Sequence, residues 1–382
     1  MSSLGMRLRQ ARESLGLTQQ EVEARTGIGV SSLSEFEAGK REPRLAQLRL
    51  MAECYHKPLS FFLSEEEPEA LVVLWRQRPA SPDASELEAE LERLASQYQF
   101  LERVVGSATL ARLPFPEELA GICPEEFDYG TAEILAHHVG RWLGLGECPA
   151  RAFLEVIEGI LKVKVFHLEF EPSGSAACTL SEQYGPVILL NARNSRRRRN
   201  FDLAHELFHL LTWTLFRSKS WQARCSTDQE EKWANCFARN LLVPREAVLR
   251  WFTLQKSAIV PHRIAFAADY LDVSVEAFVW QMKWVLGLAD DEAEKLIREA
   301  KAVEKILRQP DQESPPRRPR RFQELALEAL RQGLISVGRF AELMGISRNE
   351  AIKQYTVLLS SSPEYTAGSV EEMEFPSVSG DP

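Results

Sequence analysis

His205 and His209 stand four residues apart with Glu206 between them, in the run His205-Glu206-Leu207-Phe208-His209. On a helix this spacing puts both imidazoles on one face, one turn apart, where a single metal ion can be reached by both. Glu206 projects toward the same side without being a ligand. A metal ion lowers the pKa of its bound water, and a carboxylate placed there can take the proton as the water attacks a carbonyl. Phe201, Leu203, Ala204, Phe208, Leu210 and Leu211 make this helix apolar nearly all round. Such a helix is buried, and buried polar groups need partners. A zinc ion would be the partner of the two histidines. Two surface histidines on an ordinary helix are the alternative, and the apolar flanks argue against it.

A catalytic zinc takes a third protein ligand and keeps one position open. Glu231 is the best candidate. It begins an apolar helix, EKWANCFARNLLVP, in which Glu231, Ala234, Asn235 and Ala238 share one face. The alanines allow close approach to the histidine helix, and Asn235 could hydrogen-bond a ligand histidine. Glu230 competes, but would turn Trp233 toward the metal. Asp228 competes too, and is expected to precede the helix. No oxyanion donor follows from spacing; Tyr184 and Arg196 to Arg199 are the candidates. The four-arginine run itself reads first as a solvated face.

These elements need positioning. Leu161 to Glu169 alternates as a strand does, and Val187 to Asn191 is a short apolar strand, expected to lie along the cleft as an edge for an extended peptide. The histidine helix should run from Asn200 to Thr212, the next from Glu230 to Leu242. Helical patterns also cover 82–106, 131–145, 150–161 and 262–306. The stretch GPVILLNARNSRRRRNFDLAHELFHLL, followed by EKWANCFARNLLVP, resembles the ImmA/IrrE family of metallopeptidases over about residues 130 to 260. The resemblance implies a gluzincin-like fold, zinc on His205, His209 and Glu231, Glu206 as base, and a helix-turn-helix repressor protein as substrate in a stress or mobile-element response. Asp202 stands where the family often has Thr, at a position that reads as off the ligand face.

The first sixty residues carry a different signal. Thr18-Gln19-Gln20-Glu21 is a capping box that starts a helix running to about Thr26. Gly27-Ile28-Gly29 is a tight turn, and Val30 to Ala38 is the next helix, closed by Gly39. Further helices are expected over Leu4–Leu15, Leu45–Tyr55 and from Pro58 to Leu63. Leu17, Val22, Leu33, Phe36 and Leu48 would form the small core of this helix-turn-helix. The segment LTQQEVEARTGIGVSSLSEFEAGKREP, with LRLMAECYHKPLSFFL after it, resembles the phage-repressor-like (XRE) family. Glu23 departs from the small residue usual there. In double-stranded operator DNA the helix from Val30 would enter the major groove. Ser31, Ser32, Ser34 and Glu35 would then face bases, with Gln19 near phosphate or base and Lys40 and Arg41 on phosphates. The module is only slightly basic and Glu35 repels phosphate, so a homodimer would be the means of strengthening it.

The whole is expected to be α+β and mostly helical. Its parts are a five-helix module (1–66), a helical connector (67–129), a zincin-like peptidase domain with a small sheet (130–306), a Pro-rich charged linker (307–321), a helical helix-turn-helix-like region (322–360) and a disordered tail (361–382). The chain has 382 residues, a net charge of −9, 45% hydrophobic and 26% charged residues. That charge argues against non-specific coating of nucleic acid. No run of 18 apolar residues occurs and the N-terminus lacks the apolar core of a signal peptide, so no membrane contact and a cytoplasmic location are expected. The six scattered cysteines read as free thiols. The expected function is a DNA-binding regulator that is also a zinc endopeptidase, cutting a helix-turn-helix repressor or itself. Its rival is a regulator whose peptidase-like domain only senses zinc or a ligand; a third option is an antitoxin-like binding protein.

Overall fold

The computed structural model describes residues 3–55, 57, 59–63, 72–80, 83–107, 113, 121–172, 176–217, 226–252, 259–307, 314–316 and 318–360. The start of the connector (67–71), most of the first half of the linker (308–313) and the tail 361–382 lie outside the described residues.

Five helices open the chain: α1 (Ser3–Ser14), α2 (Gln19–Thr26), α3 (Val30–Glu37), α4 (Leu45–Cys54) and α5 (Leu59–Leu63). The Thr18 capping box forms, with the hydroxyl accepting from Glu21 N–H and the Glu21 carboxylate accepting from Thr18 N–H. Gly27 closes α2 at φ 71°, a conformation that favours glycine. Leu17, Val22, Leu33, Phe36 and Leu48 are all buried in one cluster with Leu8, Met51 and Tyr55. Glu23 is exposed and leaves the α2–α3 contact undisturbed.

The connector holds β1 (Leu74–Trp75) and α6 (Asp83–Val105). The latter is the helix expected over 82–106. The helix-turn-helix rests on it through Ala89, Lys57 with Glu92, and Arg25 with Glu86. Next come α7 (Tyr129–Trp142), α8 (Pro149–Gly159), β2 (Lys164–Leu168), β3 (Ala176–Ser181), β4 (Gly185–Asn191), α9 (Arg196–Leu211), α10 (Trp213–Arg217), α11 (Asp228–Leu242), α12 (Arg245–Phe252), α13 (Pro261–Tyr270), α14 (Val275–Leu286) and α15 (Asp290–Leu307). The chain ends with α16 (Arg320–Arg331), α17 (Val337–Met344) and α18 (Arg348–Ser360).

The four strands form one mixed sheet in the order β1-β3-β4-β2. β3 and β4 make a tight hairpin in which Ser181 opposes Gly185, whose φ of 71° serves the turn. β4 runs parallel to β2 and antiparallel to β3. It is therefore an interior strand, buried at every residue, and not the exposed edge expected from its sequence. The edge on the β3 side was missed because AACTLS has small residues and no apolar alternation. Each face of the sheet carries its own core. Val165, Cys178, Ile188 and Leu190 face α7 to α9 and α11. Phe166, Ala177, Val187 and Leu189 face α6 and α16 to α18.

The C-terminal helices are fastened to α6 by Arg321, whose guanidinium donates to Glu102 at 2.6 Å and to the Tyr98 hydroxyl at 3.2 Å. Glu102 also pairs with the buried Lys164 on β2 at 3.0 Å. Among the described residues no helix is long and apolar enough to cross a membrane.

Candidate metal centre

α9 begins at Arg196, four residues earlier than its apolar pattern suggests, because Ser195 caps it and the arginines form its first turn. The arginine run is not a solvated face. Arg197 is 5% exposed and Arg199 8%. Arg197 pairs with Asp269, Asp272 and Glu304, and Arg196 with Asp272. Arg198 pairs with Asp202, and Arg199 donates to Asn194 O. They clamp the start of the histidine helix to α13, the turn after it and α15, and none is shown as an oxyanion donor. Tyr184 is 5% exposed in the cluster on the opposite face of the sheet, which removes it too.

α11 begins at Asp228, so Asp228 lies inside the helix as its first residue, and it is exposed. Thr227 caps the helix, and Glu230 returns the capping bond to Thr227 N–H while pairing with Arg217 at 2.7 Å. Glu230 is thus spent elsewhere. Glu231, on the next position round, faces α9. Ala234 and Ala238 are fully buried along that face. Trp233 points away, stacked on Phe216.

The result is a convergence of three donors. His205 Nε2 lies 3.0 Å from one Glu231 oxygen, His209 Nε2 lies 3.3 Å from the other, and the two Nε2 atoms are 3.3 Å apart. His205, His209 and Glu231 make up a group able to hold a metal ion. Burial pushes the His205 imidazole down to about 3. Two buried imidazole nitrogens and a carboxylate converging on one point are the arrangement a bound cation would satisfy. Burial pushes the Glu231 carboxyl up, but its close contacts with His205 and His209 outweigh that and hold the group well below the usual carboxylate range. Ser226 Oγ donates to Glu231 as well.

Glu206 is fully buried, and neither of its oxygens has a hydrogen-bond partner of normal geometry. Burial pushes it up to about 8, with the Cys178 thiol on β3 acting in the opposite sense. An orphaned carboxylate at that depth is costly unless a positive charge or a reacting water adjoins it.

Two residues not foreseen complete the surroundings. Arg76, just past β1, donates to Asp202 at 2.9 Å and to Asn235 Oδ1 at 3.1 Å. Asn235 Oδ1 also lies 3.1 Å from His205 Nδ1. Because that oxygen accepts from Arg76, it can only accept from His205, so Nδ1 carries the proton and Nε2 keeps its lone pair for a metal. Asp202, read from sequence as off the ligand face, is buried one turn before Glu206 and takes bonds from Arg76, Arg198 and Asn194. No local signal marks Arg76, since its partners are 126 and 159 residues away.

Residues 159–282 match the family model described as the IrrE N-terminal-like domain, and residues 8–62 match the helix-turn-helix model. The chain carries an XRE-type helix-turn-helix and an IrrE/ImmA-like peptidase-family domain. The HTH-type transcriptional regulator ImmR of Bacillus subtilis (strain 168) is 34% identical over 65 residues, 17% of this chain and 51% of ImmR. The chain spans about half the length of that relative. The IrrE-like match contains β2 to β4, α9 and α11, and hence all three donors and Glu206.

In the helix-turn-helix, Ser31, Ser34, Glu35, Lys40 and Arg41 are exposed and Ser32 is half-buried on α3. Glu35 pairs with Arg41 at 3.5 Å, which softens its repulsion of phosphate, and Arg41 lies over the Phe36 ring. Gln19 is turned inward. Its amide donates to Glu37 at 2.9 Å, beside the bidentate Arg12–Glu37 pair. It supports the packing of α2 on α3 more than it offers itself to a phosphate.

Proposed function

We propose that this protein is a DNA-binding regulator whose IrrE/ImmA-like domain is a zinc endopeptidase. The substrate would be a helix-turn-helix repressor, or the chain's own helix-turn-helix, in a stress or mobile-element response. The observation that carries the reading is the meeting of His205, His209 and Glu231 beside an orphaned Glu206. One ligand atom from each of the three residues lies within 4.8 Å of the others, and the two imidazole nitrogens stand 3.3 Å apart, the separation that tetrahedral zinc with bonds of about 2.0–2.1 Å gives two of its ligands. The donor set, two imidazoles and a carboxylate, is one that catalytic zinc takes.

Bound zinc would polarise the scissile carbonyl and acidify the attacking water. Glu206 takes the proton from that water and returns it to the leaving amine. Its affinity for protons, raised by burial, suits the second half of that task. Asn235 fixes the His205 tautomer. α3 would read operator DNA through Ser31, Ser32, Ser34 and Glu35, with Lys40 and Arg41 on phosphates and Gln19 in support.

The fragments formed on mixing the zinc-loaded protein with a candidate repressor test this. Mass spectrometry should find one or a few cuts in the repressor or in residues 1–66. If repressor and chain both stay intact, with the parent and also with Arg76→Ala, which frees the connector from Asp202 and Asn235, the peptidase reading fails and the zinc-sensor reading takes its place.

A further inference from the structure

The sheet edge beside the candidate centre belongs to β3, and the chain itself sits on it. Leu74 and Trp75 pair antiparallel with Cys178 and Ala177, and Arg76 N–H donates to Ala176 O at 3.1 Å. Side chains alternate along a strand, so Leu74 and Arg76 share a face. That face is the one turned to α9. Leu74, 1% exposed, packs in the same cluster as Cys178, Leu203 and Phe208. Arg76 reaches Asp202 and Asn235. Trp75 turns to the other face, where its Nε1 donates to Glu88.

This is the inventory of a bound extended peptide: main-chain bonds to a sheet edge, one apolar side chain in a seat, one basic side chain on a carboxylate. The consequence for the centre is closure. His205 and Glu206 are 0% exposed and His209 1%. Of the three donors Glu231 alone reaches the surface, its side chain 23% exposed, so an extended peptide reaches Glu206 only if what covers the histidines moves. β1 is fit to move. It has only two residues. Asp202 keeps Arg198 and Asn194 when Arg76 leaves, so no buried carboxylate is stranded. Asn235 keeps His205.

We propose that Val73–Arg76 is a resident pseudosubstrate, lying on the β3 edge where the true substrate lies. The substrate is then an extended segment with leucine or a similar apolar residue followed two positions later by arginine. The leucine fills the seat beside Cys178, and the arginine takes the Asp202 carboxylate. The segment comes straight from the connector that bears the helix-turn-helix, so displacement of β1 is also the means by which that end of the chain would release the peptidase. The inference rests on the peptidase reading for its purpose, but its structural content is tested without any cleavage.

The test uses the full chain and the rate at which iodoacetamide alkylates Cys178, read by peptide mass spectrometry, with buried Cys236 as internal control. Arg76→Ala and Leu74→Asp should each raise the Cys178 rate by about tenfold or more, as expected when local opening becomes easier, and leave Cys236 unchanged. A synthetic peptide of residues 72–79 should slow the Cys178 reaction in Arg76→Ala, and the same peptide with alanine for its first arginine should not. An unchanged Cys178 rate in both variants overturns the proposal. So does a rise shared by Cys236, or zinc affinity lost in Arg76→Ala, since either makes β1 an integral strand. If the labelling behaves as expected and the opened variants still cut no repressor, the pseudosubstrate stands and the peptidase reading falls.

Discussion

Asn235 offers the sharpest quantitative test of how the centre is held. Its Oδ1 is the one partner shown for His205 Nδ1, at 3.1 Å, and Arg76 orients the amide from the other side. Asn235→Ala leaves His205 free to turn or to take the wrong tautomer, with its proton on the nitrogen that should face the metal. Losing such a partner costs about 10- to 100-fold in metal affinity, or about 1.4–2.7 kcal/mol. Competition against a chelator of known zinc affinity measures it. Asn235→Asp keeps an acceptor at the same place and should recover most of the loss. Arg76→Ala should change the affinity by no more than about threefold, because the Asn235–His205 bond does not need it. If Asn235→Ala binds zinc as the parent does, the tautomer argument is refuted.

Glu158 gives a pH dependence of determined sign. It is 4% exposed, and burial pushes its carboxyl up to about 7, partly offset by the backbone N–H groups of Arg321 and Arg320. The unfolded chain releases this proton near 4.5 and the folded one keeps it to about 7, so stability falls as pH rises through that window. The limit is about 3 kcal/mol. Urea melts at several pH values should show that slope flattened in Glu158→Gln. Arg197→Ala should destabilise by about 2 kcal/mol, since it removes charge-assisted bonds to Asp272, Asp269 and Glu304 while Asp272 keeps Arg196; a loss under about 0.5 kcal/mol, the range of ordinary surface changes, would return the arginine run to the surface role its sequence suggests. Ser32→Ala with Arg41→Ala should abolish a footprint on operator DNA, and a surviving footprint would remove α3 as the reading element.

The legible parts of this protein are those whose signal is local. The Thr18 capping box, the Gly27 turn and the histidine spacing each lie within a few residues, and helix geometry converts them directly into contacts. Glu231 was readable for the same reason, because Ala234 and Ala238 mark the face that must meet α9. What stayed hidden depends on partners far along the chain. A run of four arginines looks solvated until Asp269, Asp272 and Glu304 are folded against it. Asp202 looks like a neutral departure until Arg76 arrives from the connector. β1 is too short to show a period, and β3 has too little side-chain bulk. Missing them made β4 look like the edge strand and left the closure of the centre out of sight.

The central claim is that His205, His209 and Glu231 hold a zinc ion against which Glu206 works as a base. Glu206→Gln separates binding from chemistry, because the substituted residue is not a ligand. Zinc content by elemental analysis and repressor cleavage should be read on the same two preparations. The account predicts one zinc per chain in both proteins and cleavage by the parent alone. Equal cleavage by both, or a parent protein that retains no zinc, would contradict it.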